Sequence, residues 1–149
     1  MILEVNKLRK EVSSGDSELV ILDDVSFDLE EGQSLAITGP SGSGKSTLLG
    51  LLAGLDTATS GEIHLDKIGL HNLDEEDRAV LRKDKVGFVF QSFELLPSLT
   101  ALENVMLPSE LKSEENPKGN AEYFLNRVGL SEREHHYPNQ LSGGEQQRV

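Results

Sequence analysis

The sequence of 149 residues contains no cysteine and no tryptophan, and aromatic residues make up only 5% of it. Without cysteine, neither disulfide bonds nor thiolate chemistry contributes to the fold or to a reaction. Long hydrophobic runs are also lacking. The longest nearly apolar stretch, residues 48–55, is interrupted by glycines and is far shorter than the roughly 20 residues that a membrane-spanning helix needs. Any membrane role must therefore come through a partner.

Basic residues are scarce, since 14 Lys and Arg stand against 26 Asp and Glu and the net charge is −12. No cluster of Lys and Arg interrupts this acidic background. Because nucleic acids are polyanions, such a surface would repel them, and we expect no nucleic-acid partner. The remaining composition, 36% apolar and 27% charged, is typical of a folded domain with one modest core.

What the sequence does contain is a phosphate-loop pattern. Residues 39–46 read G-P-S-G-S-G-K-S and fit G-x-x-x-x-G-K-[ST]. The apolar segment 34–38 before the loop predicts a buried strand, and residues 48–53 after it predict a helix packed on a sheet. This context disfavours the alternative, a Gly/Ser-rich turn that carries Lys-Ser by chance. The pattern predicts a site for a nucleoside triphosphate, which we expect to be ATP.

Each residue type in the loop has a physical role in binding phosphate. Gly42 and Gly44 are expected to let the backbone curl with its N–H groups inward, and the helix N-terminus adds partial positive charge. Lys45 is expected to reach the β- and γ-phosphates, and Ser46 to offer its hydroxyl to Mg²⁺. The predicted nucleotide contacts of this loop are Gly39, Ser41, Gly42, Ser43, Gly44, Lys45, Ser46 and Thr47.

Alternation of apolar and polar residues predicts strands on both sides of the loop. Segments 2–8, 19–22 and 25–29 predict an antiparallel layer over residues 1–33, and 62–66 predicts one further strand. A helix is predicted next, because acidic residues at 74–77 are followed by basic residues at 82, 83 and 85.

A second apolar segment, residues 86–90, predicts a strand buried within a parallel sheet. It ends at Gln91, at the sheet edge where α/β proteins bind ligands. From the residues alone, Gln91 either positions magnesium or the attacking water, or is a polar strand end without a role.

The second half of the chain is predicted to be helical. Residues 100–103 and 131–134 have the pattern of capping boxes, and residues 121–128 are amphipathic. Residues 113–120 are interpreted as a polar linker. We therefore divide the chain into a nucleotide-binding part, 1–91, and a helical part, 92–149.

The four histidines are interpreted as surface residues. No carboxylate or second histidine stands at a metal-like spacing from His64 or His71, and His135 and His136 are adjacent rather than one helical turn apart.

The last residues, 141–149, read L-S-G-G-E-Q-Q-R-V. Ser142 and Glu145 have the spacing of a capping box. Two glycines in a first helical turn cost about 1 kcal/mol each relative to Ala, which is unfavourable unless a ligand approaches the backbone there. An anion at this helix N-terminus is such a ligand.

Residues 39–46, Gln91 and residues 141–146 together resemble the Walker A loop, Q-loop and signature motif of ATP-binding-cassette (ABC) ATPases. Segments 87–93 and 100–105 resemble the lipoprotein-release and macrolide-export branch, which contains the LolD, MacB and YbbA types, the YbbA type most nearly. The resemblance implies an α/β fold with a P-loop (RecA-like) parallel core, incomplete here, an antiparallel β layer and a helical subdomain. It also implies ATP hydrolysis that drives transport, with Mg²⁺ held by Ser46 and Gln91.

The resemblance further implies partners. Two such subunits would meet head to tail, with each ATP between one Walker A loop and the other subunit's signature residues Ser142, Gly143, Gly144 and Glu145. An integral membrane permease subunit would dock around residues 93–99, which would place the protein at the cytoplasmic face of a membrane. The transported substrate is not indicated.

Two departures from the family pattern affect these expectations. Val12 stands where many relatives stack adenine on an aromatic side chain. Relatives also continue into a strand with a magnesium-binding Asp, a catalytic Glu and a switch His, so we expect this chain to be an N-terminal piece that is inactive on its own. Lys45 and Gln91 would position phosphate and water, and no general base is assigned. The alternatives are a non-catalytic nucleotide-binding or regulatory module, and a soluble P-loop ATPase without a transporter role.

Overall fold

The computed structural model describes residues 1–15 and 17–149. Their contacts divide the chain into two compact units, Met1–Val86 and Gly87–Val149. The division into 1–91 and 92–149 stays a prediction. No helix in the part of the chain that the structure describes is long and apolar enough to span a bilayer.

The first unit is built on one antiparallel sheet of four strands. These are β1 (Leu3–Ser14), β2 (Ser17–Leu29), β3 (Ser60–Leu65) and β4 (Ile68–Gly69), in the order β2-β1-β3-β4. The long hairpin of β1 and β2 confirms the antiparallel layer that the alternating residues predicted. β3 confirms the predicted strand over 62–66, whereas the short β4 was not anticipated.

Two helices cover the apolar face of this sheet. α1 (Lys45–Leu52) follows the phosphate loop, and α2 (Glu75–Lys85) begins at the N-cap Asp74, whose side chain accepts a hydrogen bond from the N–H of Asp77. Both helices confirm the predictions. The core of the unit combines strand and helix residues, and its buried members are Leu3, Val5, Leu8, Leu22, Leu48, Leu51, Ile63, Leu70 and Leu81.

The two predicted strands of the parallel core, 34–38 and 86–90, are not strands in this structure. Both segments are irregular, and Val89 is 96% exposed. A strand exists only where a neighbour shares its ladder of hydrogen bonds, and the sheet of residues 1–15 and 17–149 contains no partner for either segment. The hydrophobicity of these segments therefore indicated a tendency to be buried, but it did not show which neighbouring strand would pair with them.

The second unit is helical, as predicted. Its helices are α3 (Ala101–Leu111), α4 (Pro117–Arg127) and the short α5 (Gly143–Gln146), with 3₁₀ turns at Ser131–Arg133 and Pro138–Gln140. The predicted capping box of Thr100 and Glu103 is confirmed. The buried core of this unit consists of Ala101, Leu102, Ala121, Leu125, Leu130 and Leu141.

Two local predictions in this unit were wrong. Residues 131–134 form a 3₁₀ turn rather than a capping box, because the hydroxyl of Ser131 accepts a hydrogen bond from Asn126 Nδ2 at 3.0 Å. The linker predicted over 113–120 ends early, because Asn116 caps the helix and Pro117 occupies its first position. An Asn-Pro pair is a helix start that a polarity pattern overlooks.

Adjacent residues of α4 give a matched test of the helical core. Leu125 is 1% exposed, whereas Phe124 is 54% exposed. We expect Leu125→Ala to lower the free energy of unfolding by about 2–5 kcal/mol, because it removes buried methyl groups and leaves a cavity. The control Phe124→Ala should change it by no more than about 0.5 kcal/mol. Urea denaturation followed by circular dichroism measures both, and equal losses would contradict the assigned core.

Candidate nucleotide-binding site

The N-terminus of α1 lacks the side-chain cap that most helices have. Its N-cap residue is Gly44, no side chain in the described residues caps it, and its first turn carries no acidic residue. The first hydrogen bond of the helix runs from the N–H of Leu48 to the carbonyl of Gly44, at 2.8 Å. The N–H groups of Lys45, Ser46 and Thr47 precede that bond, so they face outward at the positive end of the helix dipole.

The glycines of the loop have the backbone conformation that the sequence predicted. Gly42 and Gly44 have φ angles of 81° and 85°, in the left-handed region that favours glycine. Gly44 also lies against the sheet, since a Cβ there would be 2.9 Å from the carbonyl oxygen of Ile21 in β2. A side chain at position 44 would therefore separate the loop from the strand that positions it.

Lys45 folds back over the loop that precedes it. Its ammonium donates to the carbonyl oxygens of Pro40 at 2.7 Å and Gly39 at 3.0 Å, and lies 3.5 Å from Ser43 Oγ. All three acceptors are neutral groups of the loop itself. A phosphate oxygen is a stronger acceptor for an ammonium than a neutral carbonyl, so a bound phosphate would replace these contacts.

The strand beside the loop presents an aliphatic surface. Val12 lies opposite Leu19 across the β1–β2 hairpin, and Leu19 is exposed. Ile21 of the same strand lies against the loop, since its Cγ2 is 3.1 Å from the position of a Cβ on Gly44. The structure thus places aliphatic rather than aromatic side chains on the strand next to the loop.

In the second unit, Ser142 caps α5. The hydroxyl of Ser142 accepts from the N–H of Glu145 at 3.3 Å, and both the N–H and the hydroxyl of Ser142 donate to Glu145 Oε2 at 2.8 Å. The capping box predicted from this spacing is present. Gly143 and Gly144 are exposed at the start of the helix.

Arg133 also contacts Glu145, and the sequence did not predict this contact. Its Nε donates to Glu145 Oε1 at 3.0 Å, so both carboxylate oxygens of Glu145 are occupied. Hydrogen bonds from the backbone and side chain of Ser142, and then from Arg133, lower the pKa of Glu145 to about 2. Twelve residues separate the pair, and no local pattern marks a contact of that kind. The nucleotide contact assigned to Glu145 stays a prediction.

Gln91 lies in an exposed, irregular stretch of the second unit, so its role in positioning magnesium or water stays a prediction. It lines a cavity of about 450 Å³ formed by residues 88–93, Leu95 and residues 146–149.

The loop that follows Gln91, up to the start of α3, is held by Asn104. The Nδ2 of Asn104 donates to the carbonyls of Leu96, Leu99 and Thr100, and its Oδ1 accepts from the N–H of Leu96.

The interpretation of His64 and His71 as isolated surface residues requires correction. Glu62, His64 and His71 offer side-chain ligand atoms that lie within 4.8 Å of one another. The spacing argument failed because His71 is brought back to β3 by the unanticipated strand β4.

A glycine loop that ends at an uncapped helix N-terminus, with a lysine folded across it, defines a phosphate-loop nucleotide-binding domain. A family model described as "ABC transporter" matches residues 22–149. The chain belongs to the ABC transporter family.

Individual relatives and solved structures agree. YbbA of Escherichia coli (strain K12), an uncharacterized ABC transporter ATP-binding protein, is 53% identical over 99% of this chain and 66% of its own length. LolD of Treponema denticola, the ATP-binding protein of a lipoprotein-releasing system, is 47% identical over the same shares. A dimeric post-hydrolysis structure of the cassette MJ0796 with ADP and Pi matches with a TM-score of 0.91 at 41% identity, over 98% of this chain and 66% of that chain.

These matches confirm the predicted α/β P-loop fold class and the resemblance to the ABC family. They also show that the chain spans about two thirds of the length of the curated relatives it matches, 66% in each of the two named above.

The low pKa of Glu145 gives a test by pH. A carboxylate whose pKa falls from 4.5 when unfolded to about 2 when folded stabilises the folded state above pH 4.5, and this stabilisation is lost as the pH falls towards 2. We expect Glu145→Gln to lower the melting temperature at pH 7, and the difference from the unchanged chain to shrink between pH 4.5 and 2. Glu132→Gln, which alters an exposed carboxylate of the same unit, is the control. A difference that does not vary with pH would contradict the proposed network.

Proposed function

We propose that this chain binds Mg·ATP through its phosphate loop. The observation that carries the proposal is the uncapped N-terminus of α1, whose N–H groups at residues 45–47 face outward beside the Lys45 ammonium. Lys45 would leave the carbonyls of Gly39 and Pro40 for the β- and γ-phosphates. The exposed hydroxyl of Ser46 would bind magnesium. The similar MJ0796 cassette, whose structure holds ADP and Pi, supports this assignment.

The base would lie against the aliphatic surface of the hairpin. Leu19 is exposed on the strand whose Ile21 contacts the loop at Gly44. Leu19 and Val12 would therefore offer apolar contact to adenine in place of the aromatic stacking that many relatives use.

The complete protein is proposed to hydrolyse ATP as a head-to-tail pair of subunits. The exposed N-terminus of α5 would meet the γ-phosphate held by the partner, with Ser142 and the N–H groups of Gly143 and Gly144 as contacts, and Gln91 would position magnesium and the attacking water. Support comes from the dimeric MJ0796 cassette. In this arrangement, Glu145 acts by holding Ser142 in place, through the hydrogen bonds described above.

The second proposed partner is an integral membrane subunit that docks around residues 93–99. Phe93 and Leu96 are exposed there, and Asn104 fixes the loop through hydrogen bonds to the carbonyls of Leu96 and Leu99. A rigid loop with exposed apolar side chains suits a partner that must sense the nucleotide state mechanically. The complete protein would thus act at the cytoplasmic face of a membrane.

Removing the ammonium of Lys45 tests nucleotide binding. We expect Lys45→Ala to weaken Mg·ATP binding by about 10- to 100-fold, since hydrogen bonds between charged groups contribute about 1.5–3 kcal/mol. Lys83→Ala removes an exposed lysine of the same unit and should leave the affinity unchanged. Isothermal titration measures both. Equal affinities for the two variants would exclude the loop as the site and favour a module that binds partners only.

Turnover is a separate question, because no general base is assigned in residues 1–149. We expect the chain alone to release phosphate from Mg·ATP no faster than its Lys45→Ala variant does. A sensitive phosphate-release assay checks this. Turnover that requires Lys45 would show that the chain supplies its own base.

A further inference from the structure

Three potential metal ligands meet at the edge of the sheet in the first unit. Glu62 and His64 alternate along β3, so both lie on the face opposite the buried Ile63. β4 pairs with β3 so that Gly69 lies opposite His64, and the 3₁₀ turn that follows (Leu70–Asn72) brings His71 beside them. The ligand atoms of Glu62, His64 and His71 lie within 4.8 Å of one another.

Gly69 makes room for the two imidazole rings. A Cβ at this position would lie 2.9 Å from His71 Cε1 and 3.3 Å from His64 Nε2. Because Gly69 has no Cβ, the ring centroids of His64 and His71 approach to 5.1 Å in an edge-to-face arrangement. The space between the histidines is therefore a consequence of the glycine, and a side chain would fill it.

The hydrogen bonding of the rings points to a missing ligand. Nδ1 of His64 is buried and has no hydrogen-bond partner among the described residues. A buried polar atom without a partner indicates a water or an ion that satisfies it. The side-chain amide of Asn72 lies 3.0 Å from Nε2 of His71 and orients that ring.

The charge of the surrounding sheet also favours a cation. Glu4 lies directly opposite His64 across the β1–β3 pair, and Asp28 lies directly opposite Glu4 across the β1–β2 pair. Directly paired residues share a face of the sheet, so these carboxylates flank the three ligands without belonging to them.

We propose that Glu62, His64 and His71 form a binding site for a Zn²⁺-like transition-metal ion, with a fourth position left to water. Two imidazoles and one carboxylate are a donor set that Zn²⁺ accepts, whereas Mg²⁺ prefers oxygen ligands alone. Ligand atoms around a tetrahedral zinc ion are about 3.4 Å apart, because each bond is about 2.0–2.2 Å long. Movements of the exposed Glu62 and His71 side chains that total about 1.5 Å or less close this gap.

Titration of the 149-residue chain with zinc chloride in excess Mg²⁺ tests the proposal. We expect one Zn²⁺ ion per chain, and at least about tenfold weaker binding for His71→Ala and for Glu62→Gln. His135→Ala, which removes an exposed histidine of the other unit, is the matched control and should bind as tightly as the unchanged chain. No saturable binding, or a loss in His135→Ala equal to that in His71→Ala, would overturn the site.

Proton NMR of the unchanged chain avoids any effect of substitution on folding. With only four histidines in the chain, the ring signals of His64 and His71 are expected to shift together and to saturate at one equivalent of Zn²⁺. Those of His135 and His136 should stay in place. Shifts confined to His135 and His136 would assign the metal to the other unit and refute the proposal.

Discussion

The geometry of the nucleotide site depends on the contact between Gly44 and β2. Because Gly44 has no side chain, the start of α1 lies against the carbonyl of Ile21. One and two turns further on, Leu48 and Leu51 enter the core of the same sheet, where burying each contributes about 1.5–3 kcal/mol. The open end of the helix is thus anchored from behind by hydrophobic packing. A site made of backbone N–H groups needs such an anchor, since no side chain adjusts their direction.

The N-termini of α1 and α5 both contain glycine, but their hydrogen bonding differs. No side chain of residues 1–15 and 17–149 caps α1, so its first N–H groups are open to the anion of the proposed function, and its lysine is held by neutral carbonyls that a phosphate would replace. α5 is capped by its own Ser142 and Glu145, and Arg133 fixes the carboxylate. A phosphate arriving at Ser142 would compete with Glu145 for the hydroxyl. In the proposed function, phosphate binding at α1 therefore replaces only contacts to neutral carbonyls, whereas binding at α5 competes with a contact to a carboxylate.

Local patterns predicted the parts of the fold that local forces determine. The β1–β2 hairpin, the capped α2 and the Thr100 capping box all follow from residues within a few positions of one another. Segments 34–38 and 86–90 were wrongly predicted as strands because hydrophobicity reveals a need for burial but not the partner that meets it. The pair Arg133–Glu145 and the cluster of Glu62, His64 and His71 were missed for a related reason. Each is assembled by a turn whose path only the three-dimensional structure shows.

A net charge of −12 is at first sight at odds with a site for a triphosphate, and the structure explains how both are compatible. The phosphate loop uses backbone dipoles and one ammonium, which act within a few ångströms and are little affected by distant carboxylates in salt. In the proposed cation site, Glu62 is a ligand and Glu4 lies directly opposite His64, so these carboxylates would raise the affinity for a cation. The proposed anion site at a helix end and the proposed cation site on the sheet are therefore compatible within one small unit, because each site is governed by the charges nearest to it.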